Sequence, residues 1–244
     1  MQVAIIIPAR YQSSRYPGKP LIEILGKTLI QRVHEQCSKA IGSKNVFVAT
    51  DDKKIKKHCL ETNMQVLMTS DQCLTGTDRV YEASRQIQAD LIINVQGDEP
   101  LVRPEDIVSV IDKYKENPDF VCCGMCPIKE EEEFRSPTVP KVVVDSKNKL
   151  LYMSRAAIPT NKKLELVTAM KQVCIYAFPT EALELYGKCD KKTDLEKIED
   201  IEILRFFELG YKVKMVEVSG DSIAVDVPED VDKVVAAMKE RNLS

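Results

Sequence analysis

The chain has 244 residues, 44% hydrophobic and 30% charged, with a formal net charge of −3. That balance excludes a general affinity for nucleic acid or an anionic membrane surface, so a local basic cluster carries more information than the total. No apolar run approaches the ~18–20 residues of a membrane-spanning helix, and the chain starts directly on a strand-like run without leader features, so a cytoplasmic protein without membrane insertion is expected.

In chain order, VAIIIPA predicts a buried strand, TLIQRVHEQCSKA a helix, NVFVATDD a strand and KKIKKHCLETN a helix. QVLMTS, RVYEASRQI and LIINVQGDEP continue as strand, helix and strand. Short Val- and Ile-rich runs separated by amphipathic segments imply βαβ units and a mainly parallel sheet. From about residue 115 the rhythm changes. FVCCGMCPI reads as a core strand, and EEEEFRSPTVPKVVVDSKNKLLYMSRAAIP carries an acidic run, read as a solvated turn, followed by two strand-like pieces. TDLEKIEDIEILRFFELG reads as one helix from Leu195 to Gly210, capped at Thr193 or Asp194. A strand, YKVKMVEV, and a helix opening at DVPED complete the chain. With no linker or repeat, a single domain over residues 1–244 is expected, with an inserted lobe at approximately 120–190.

Of the eight cysteines only Cys122, Cys123 and Cys126 cluster. A zinc site needs four ligands, and no second CxxC or histidine pair follows, so these read as small hydrophobes of a core strand.

Ligands of open parallel sheets collect at the carboxyl ends of the strands. There the chain places the basic loop Arg10 to Lys19, then ATDD at 49–52, Thr69 and Ser70, and VQGDEP at 95–100. The first loop matches neither a P-loop nor the dinucleotide GxGxxG pattern. Gly18 can still bring its backbone close to an anion, and Arg15 and Lys19 can donate charge-assisted hydrogen bonds to phosphate. Asp98 and Glu99 put carboxylates at the sheet mouth, and nucleotide-bound magnesium takes one or two carboxylates with phosphate oxygens and water. Gln96 offers an amide to a base or sugar hydroxyl; the alternative for this stretch is an ordinary strand-to-helix turn. Asp226 leaves a strand-like run in the same way, and either shares a metal with Asp98 or caps the last helix. Glu202 falls in the apolar stripe of Leu195, Ile198, Phe206 and Leu209, whereas Glu196, Glu199 and Asp200 look peripheral. A carboxylate on a buried face needs a partner, which Arg155, an internal amide or a ligand hydroxyl would supply.

Together IIPARYQSSRYPGKPL, TGTDRV, NVQGDEP, KVVVD, LYMSRAAIP, CIYAF, LEKIEDIEILR and VDVPEDVDKV resemble, in order and over almost the whole chain, the CMP-Kdo synthetases, the 3-deoxy-manno-octulosonate cytidylyltransferases. The resemblance implies a Rossmann-like α/β nucleotidyltransferase with a mostly parallel central sheet and an inserted β-rich lobe for dimerisation and sugar binding. Such an enzyme couples CTP to an eight-carbon 2-keto-3-deoxy sugar acid with Mg2+, releases pyrophosphate for lipopolysaccharide or capsule synthesis, and is a homodimer. By the same resemblance Arg10, Arg15 and Lys19 hold the triphosphate, and Asp98 and Asp226 bind the metal. Pro8, Ala9, Ser70, Gly76, Thr77 and Gln96 line the nucleotide pocket. Arg155, Gln172, Tyr176 and Glu202, with Gln96, face the sugar acid.

Two positions depart from the family pattern. Relatives usually carry histidine four residues before the tyrosine of the IY motif, where this chain has Gln172, and commonly glutamine after the sugar-contacting glutamate, where it has Ile203. By the same resemblance both fall on the sugar side, which leaves open Kdo itself or a related acid altered at its exocyclic tail. Two other readings stand beside this one: a nucleotidyltransferase for a sugar 1-phosphate, and a catalytically silent nucleotide-binding or dimerisation module.

Overall fold

A computed structural model describes residues 1–12 and 16–243. Arg15 of the basic loop lies outside the described residues. The chain divides into two compact units, Met1–Val108 with Asp221–Ser244, and Ser109–Gly220.

The first unit opens with β1 (Val3–Pro8), a hairpin of β2 (Glu23–Ile24) and β3 (Lys27–Thr28), and α1 (Leu29–Ile41). It continues with β4 (Val46–Thr50), α2 (Lys53–Glu61), β5 (Gln65–Met68), α3 (Gly76–Ser84) and β6 (Leu91–Val95), then enters α4 (Pro104–Glu116). The sheet order β6-β1-β4-β5 is parallel throughout, with Ile5 opposite both Val46 and Ile93. Ile5, Ile6 and Ile7 are all fully buried, as strands covered on both faces require. Each helix start is written locally. Thr28 and Gln31 form a capping box on α1, Asp52 accepts the N–H groups of Lys54 and Ile55, and Thr75 accepts that of Asp78.

The second unit contains β7 (Val121–Pro127), α5 (Glu131–Arg135), β8 (Lys141–Val144), β9 (Leu150–Ser154) and β10 (Met170–Pro179). It ends with α6 (Thr180–Gly187), α7 (Asp194–Glu199), α8 (Ile203–Glu208) and β11 (Val213–Glu217). β10 runs antiparallel to β7 and β8, β8 antiparallel to β9, and β11 parallel to β7. Because Val213 pairs with Val121, β11 belongs to this unit. Phe206 of α8 stacks between Phe178 of β10 and Tyr186 of α6, at centroid distances of 4.9 and 4.6 Å. Burial pushes the Cys122 and Cys123 thiols up to about 12, which suits their role as small core hydrophobes. The chain then returns to the first unit, where α9 (Asp230–Glu240) packs Val234 and Met238 against Ile24, Leu29, Leu101 and Val225.

Three local expectations are corrected. The acidic run is helical, as α5, with an ion pair of 2.7 Å between Arg135 and Glu131 and another between Lys171 and Glu133. Residues 221–226 are not a strand; the Val225 N–H donates to the Asp98 carbonyl at 2.9 Å. The helix expected from Leu195 to Gly210 breaks at Asp200, which adopts φ 51°, into α7 and α8. The cause is tertiary. Glu196 is fully buried and grips Arg205 at 2.6 and 2.8 Å. On one straight helix residues nine apart face opposite sides and are separated by about 13 Å, so only the break lets them meet. Ile198, expected in the apolar stripe, is exposed, and Glu202 stands at the N-cap of α8. Among the described residues no helix is long and apolar enough to cross a membrane.

Candidate active site

In the first unit the loops after β1, β4, β5 and β6 emerge from the same sheet edge, since the four strands are parallel. β1 ends at Pro8 and Ala9 follows it, both buried, with the Ala9 N–H donating to the Ala49 carbonyl at 2.8 Å. Arg10 follows at an exposed position. The basic loop closes where the Gly18 N–H donates to the Tyr11 carbonyl at 2.8 Å, with Gly18 at φ 75°. That left-handed turn delivers Lys19 into the sheet mouth, and glycine adopts it without steric cost.

Lys19 is the centre of the cluster. Its Nζ lies 2.8 Å from Asp98 Oδ2, 2.7 Å from the Val225 carbonyl oxygen and 3.6 Å from Asp226 Oδ1. Two carboxylates from distant segments therefore converge on one cation. The cap alternative for Asp226 does not hold: its own N–H and that of Val227 donate to Asp230 Oδ2 at 3.0 and 3.1 Å, so Asp230 orders the entry to α9. Asp98 is brought into place by Gly97. A Cβ on residue 97 would lie 2.7 Å from the Pro8 carbonyl oxygen, so only glycine lets this turn press against the end of β1. Two hard carboxylate oxygens around a common cation position are a donor set that fits magnesium, which takes one or two carboxylates with phosphate oxygens and water.

Beside this cluster the backbone of Gly76 faces the Gln96 amide and the Pro8 ring; a Cβ there would meet Gln96 Nε2 at 3.0 Å and Pro8 Cγ at 3.4 Å. Thr77 is buried, with Asn94 Nδ2 donating to its Oγ1 at 3.4 Å. Ser70 is held from behind: its N–H donates to Glu82 Oε1 at 2.8 Å, and its carbonyl accepts from Arg79 Nη1 at 3.3 Å. Arg79 also donates to Thr69 Oγ1 at 2.5 Å and faces Asp51 Oδ1 at 3.4 Å. Sequence reasoning missed Arg79. Its signal was a cation inside the TGTDRV motif, one residue before the buried Val80 of a short helix.

The second unit brings together a different set. Gln172 Nε2 donates to Tyr176 Oη at 3.1 Å. A bulge makes that possible: Val173 pairs with Gly124 and Tyr176 with Cys123, so Cys174 and Ile175 loop out between them. Gly124 admits the bulge, since a Cβ there would sit 2.9 Å from the Val173 carbonyl oxygen. Burial holds the Tyr176 hydroxyl well above its ordinary titration range, so it stays a neutral donor and acceptor. Arg155 spends its guanidinium on main-chain carbonyls, those of Glu199, Pro137 at 2.8 Å and Asp200 at 2.8 Å. Ile203, expected on the sugar side, is instead 1% exposed and belongs to the core.

Glu199, expected to be peripheral, organises this cluster. It accepts from Ser154 Oγ at 2.6 Å, the Arg155 N–H at 2.9 Å and Tyr152 Oη at 3.3 Å. Burial alone would raise its carboxyl, but those three hydrogen bonds and the Arg155 charge together hold it below the ordinary value. The unfolded chain therefore binds this proton more readily than the folded one. The stabilisation is complete above the ordinary glutamate pKa of about 4.3 and is lost as pH falls through the folded value. Glu199→Gln is expected to flatten the fall in melting temperature between about pH 5 and pH 3. Identical pH profiles for the two proteins would remove Glu199 from that role.

Residues 4–217 match the family model described as Cytidylyltransferase. The chain is 35% identical to the 3-deoxy-manno-octulosonate cytidylyltransferase of Escherichia coli over 98% of its length and 97% of the relative's. It is 40% identical to the 8-amino-3,8-dideoxy-manno-octulosonate cytidylyltransferase of Shewanella pealeana, over 95% of this chain and 96% of that one. A solved structure of a CMP:2-keto-3-deoxy-manno-octonic acid synthetase complexed with CTP superposes with a TM-score of 0.91 at 35% identity, covering 99% of this chain and all of that one. The fold, the ordered motifs and these full-length matches agree: the chain belongs to the cytidylyltransferase family, with the CMP-Kdo synthetases, and is a nucleotidyltransferase.

Proposed function

We propose that the protein is a magnesium-dependent cytidylyltransferase that couples CTP to Kdo, giving the CMP-sugar and pyrophosphate. The observation that carries this reading is the convergence of Lys19, Asp98 and Asp226, next to Pro8, Gly76 and Gln96. The anomeric hydroxyl attacks the α-phosphorus in line, pyrophosphate leaves, and no covalent nucleophile is needed, so the chain's task is positioning and charge neutralisation. Arg10, Arg15 and Lys19 supply cationic donors to the triphosphate. Asp98 and Asp226 would hold magnesium, which when bound stabilises the negative charge of the leaving pyrophosphate. Ser70, Gly76, Thr77 and Gln96 frame the cytidine, and the second unit's Gln172, Tyr176, Arg155 and Glu202 serve the sugar acid. Arg155 fixes the turn at Glu199 and Asp200 with three of its five N–H donors and keeps two for the carboxylate of the sugar acid.

The enzyme is further proposed to act in the cytoplasm as a homodimer, supplying activated sugar for lipopolysaccharide or capsule. A second sugar, the 8-amino-3,8-dideoxy acid, is favoured by Gln172 together with the Shewanella pealeana relative's name. Gln172 replaces a group that can be charged near neutrality with a neutral amide, which would tolerate an amine better than an imidazolium.

Pyrophosphate release from CTP and magnesium, measured with Kdo and its 8-amino counterpart, tests the reading. Activity with either acid is expected; release only with a sugar 1-phosphate overturns it. Gln172→His is expected to shift the ratio of specificity constants towards Kdo by about tenfold, or ~1.4 kcal/mol. An unchanged ratio in an active variant means that residue 172 does not choose the sugar. Ile203 is left in place, since glutamine at that buried position would need a new partner for its amide.

A further inference from the structure

Lys19 has an ammonium with three acceptors around it, all supplied by the chain: Asp98 Oδ2, the Val225 carbonyl oxygen and, more distantly, Asp226 Oδ1. Its side chain is only 14% exposed, and those of Asp98 and Asp226 are 28% and 39% exposed. A cation shielded to this degree interacts more strongly than a surface ion pair. The same two carboxylates are the proposed metal ligands. A divalent ion bound by both would lie within a few ångströms of the ammonium, so the two positive charges exclude one another unless something draws the lysine away. A polyphosphate can do so, because its oxygens replace every acceptor that Lys19 would give up.

Resting on the functional reading above, we infer that Lys19 is an intramolecular competitor for the metal. It occupies the Asp98–Asp226 pair and makes that pair select a metal–nucleotide complex over the bare ion. Metal and nucleotide are then coupled through one side chain, and the coupling is reciprocal: each raises the other's affinity by the same factor. A catalytic role for Lys19 in binding phosphate does not by itself predict this. A lysine that served only the triphosphate would leave bare-metal affinity unchanged when removed.

The test is binding of Mn2+ alone, followed by the electron paramagnetic resonance of the free ion, with no nucleotide present. Lys19→Met is expected to bind Mn2+ at least about tenfold more tightly than the unsubstituted protein. Lys19→Arg, which keeps a cation at the pair, is expected to stay weak. The Lys19→Met/Asp98→Asn double variant is expected to lose the gain. Mn2+ is likewise expected to raise the melting temperature of Lys19→Met more than that of the parent, since a ligand stabilises in proportion to its occupancy. Lys19→Gln, which keeps a donor for the Val225 carbonyl, is measured in parallel in case the methionine variant does not melt cooperatively. Equal Mn2+ affinity in the parent and in either folded neutral variant overturns the inference. If Asp98→Asn still abolishes the Mn2+ bound together with CTP, the metal reading survives that result and only the competitor role falls. A gain that persists in the double variant puts the metal elsewhere and overturns both.

Discussion

Asp98→Asn is expected to lower turnover by roughly 10²–10³-fold while leaving the melting temperature within a few degrees of the parent. The substitution is nearly isosteric, but it removes a full negative charge from a point where two carboxylates share one cation. A proposed metal ligand becomes a neutral carbonyl oxygen or a donor, and among the described residues Lys19 keeps the Val225 carbonyl and the more distant Asp226 as partners. The fold tolerates the change because Asp98 is partly exposed and the turn that carries it is set by other contacts. These are the close approach of Gly97 to Pro8 and the bond from the Val225 N–H to the Asp98 carbonyl. Pyrophosphate release measured across a magnesium titration, beside a thermal melt, checks both halves. Near-normal turnover at ordinary magnesium would remove Asp98 from the metal site.

The largest effect on stability is expected at Glu196. Its carboxylate and the Arg205 guanidinium are both essentially inaccessible, paired through two bonds of 2.6 and 2.8 Å, with Tyr186 Oη donating to Glu196 Oε1 at 3.2 Å. Arg205 also lies over the Tyr186 ring, 3.7 Å from its centroid, and donates to the Tyr186 carbonyl. Glu196→Gln leaves a buried guanidinium without its counter-charge, at a cost of about 3–5 kcal/mol. For a chain of this size that lowers the melting temperature by roughly 6–20 °C. Replacing both partners, as Glu196→Gln with Arg205→Met, is expected to cost less than the single change, because no unpaired charge remains. Chemical and thermal denaturation of the single and double variants measure the difference. A loss below about 1 kcal/mol in the single variant would show that the pair does not hold α7 against α8.

Some of this was legible in the sequence because its causes are local. The helices at Leu29–Ile41 and Lys53–Glu61 follow from their amphipathic runs, whereas the third starts at Gly76, three residues before the expected Arg79, because Thr75 caps it. The continuous apolar run at Ile5–Ile7 announces a parallel strand through burial on both faces, and the order of βα pairs then follows. The basic loop and the NVQGDEP turn declare themselves at strand ends, where parallel sheets bind ligands. The ordered motifs named the family before any coordinates did.

Other features were decided only by contacts between distant segments. Asp226 reaches Lys19 from an extended segment outside any strand, so its likeness to Asp98 in the sequence rested on a pattern that the backbone does not follow. From Leu195 to Gly210 the helical periodicity is good along one axis, yet a buried pair nine residues apart requires two axes, and Asp200 turns left-handed to provide them. That break moves Glu202 off an apolar stripe to the N-cap of α8, exposes Ile198, and gives Glu199 to Ser154 and Arg155. Gln172 meets Tyr176 only because Gly124 leaves room for a bulge on the neighbouring strand. Local propensity is worth a few tenths of a kcal/mol per residue, whereas an unpaired buried charge costs several, so where the two conflict the tertiary structure decides.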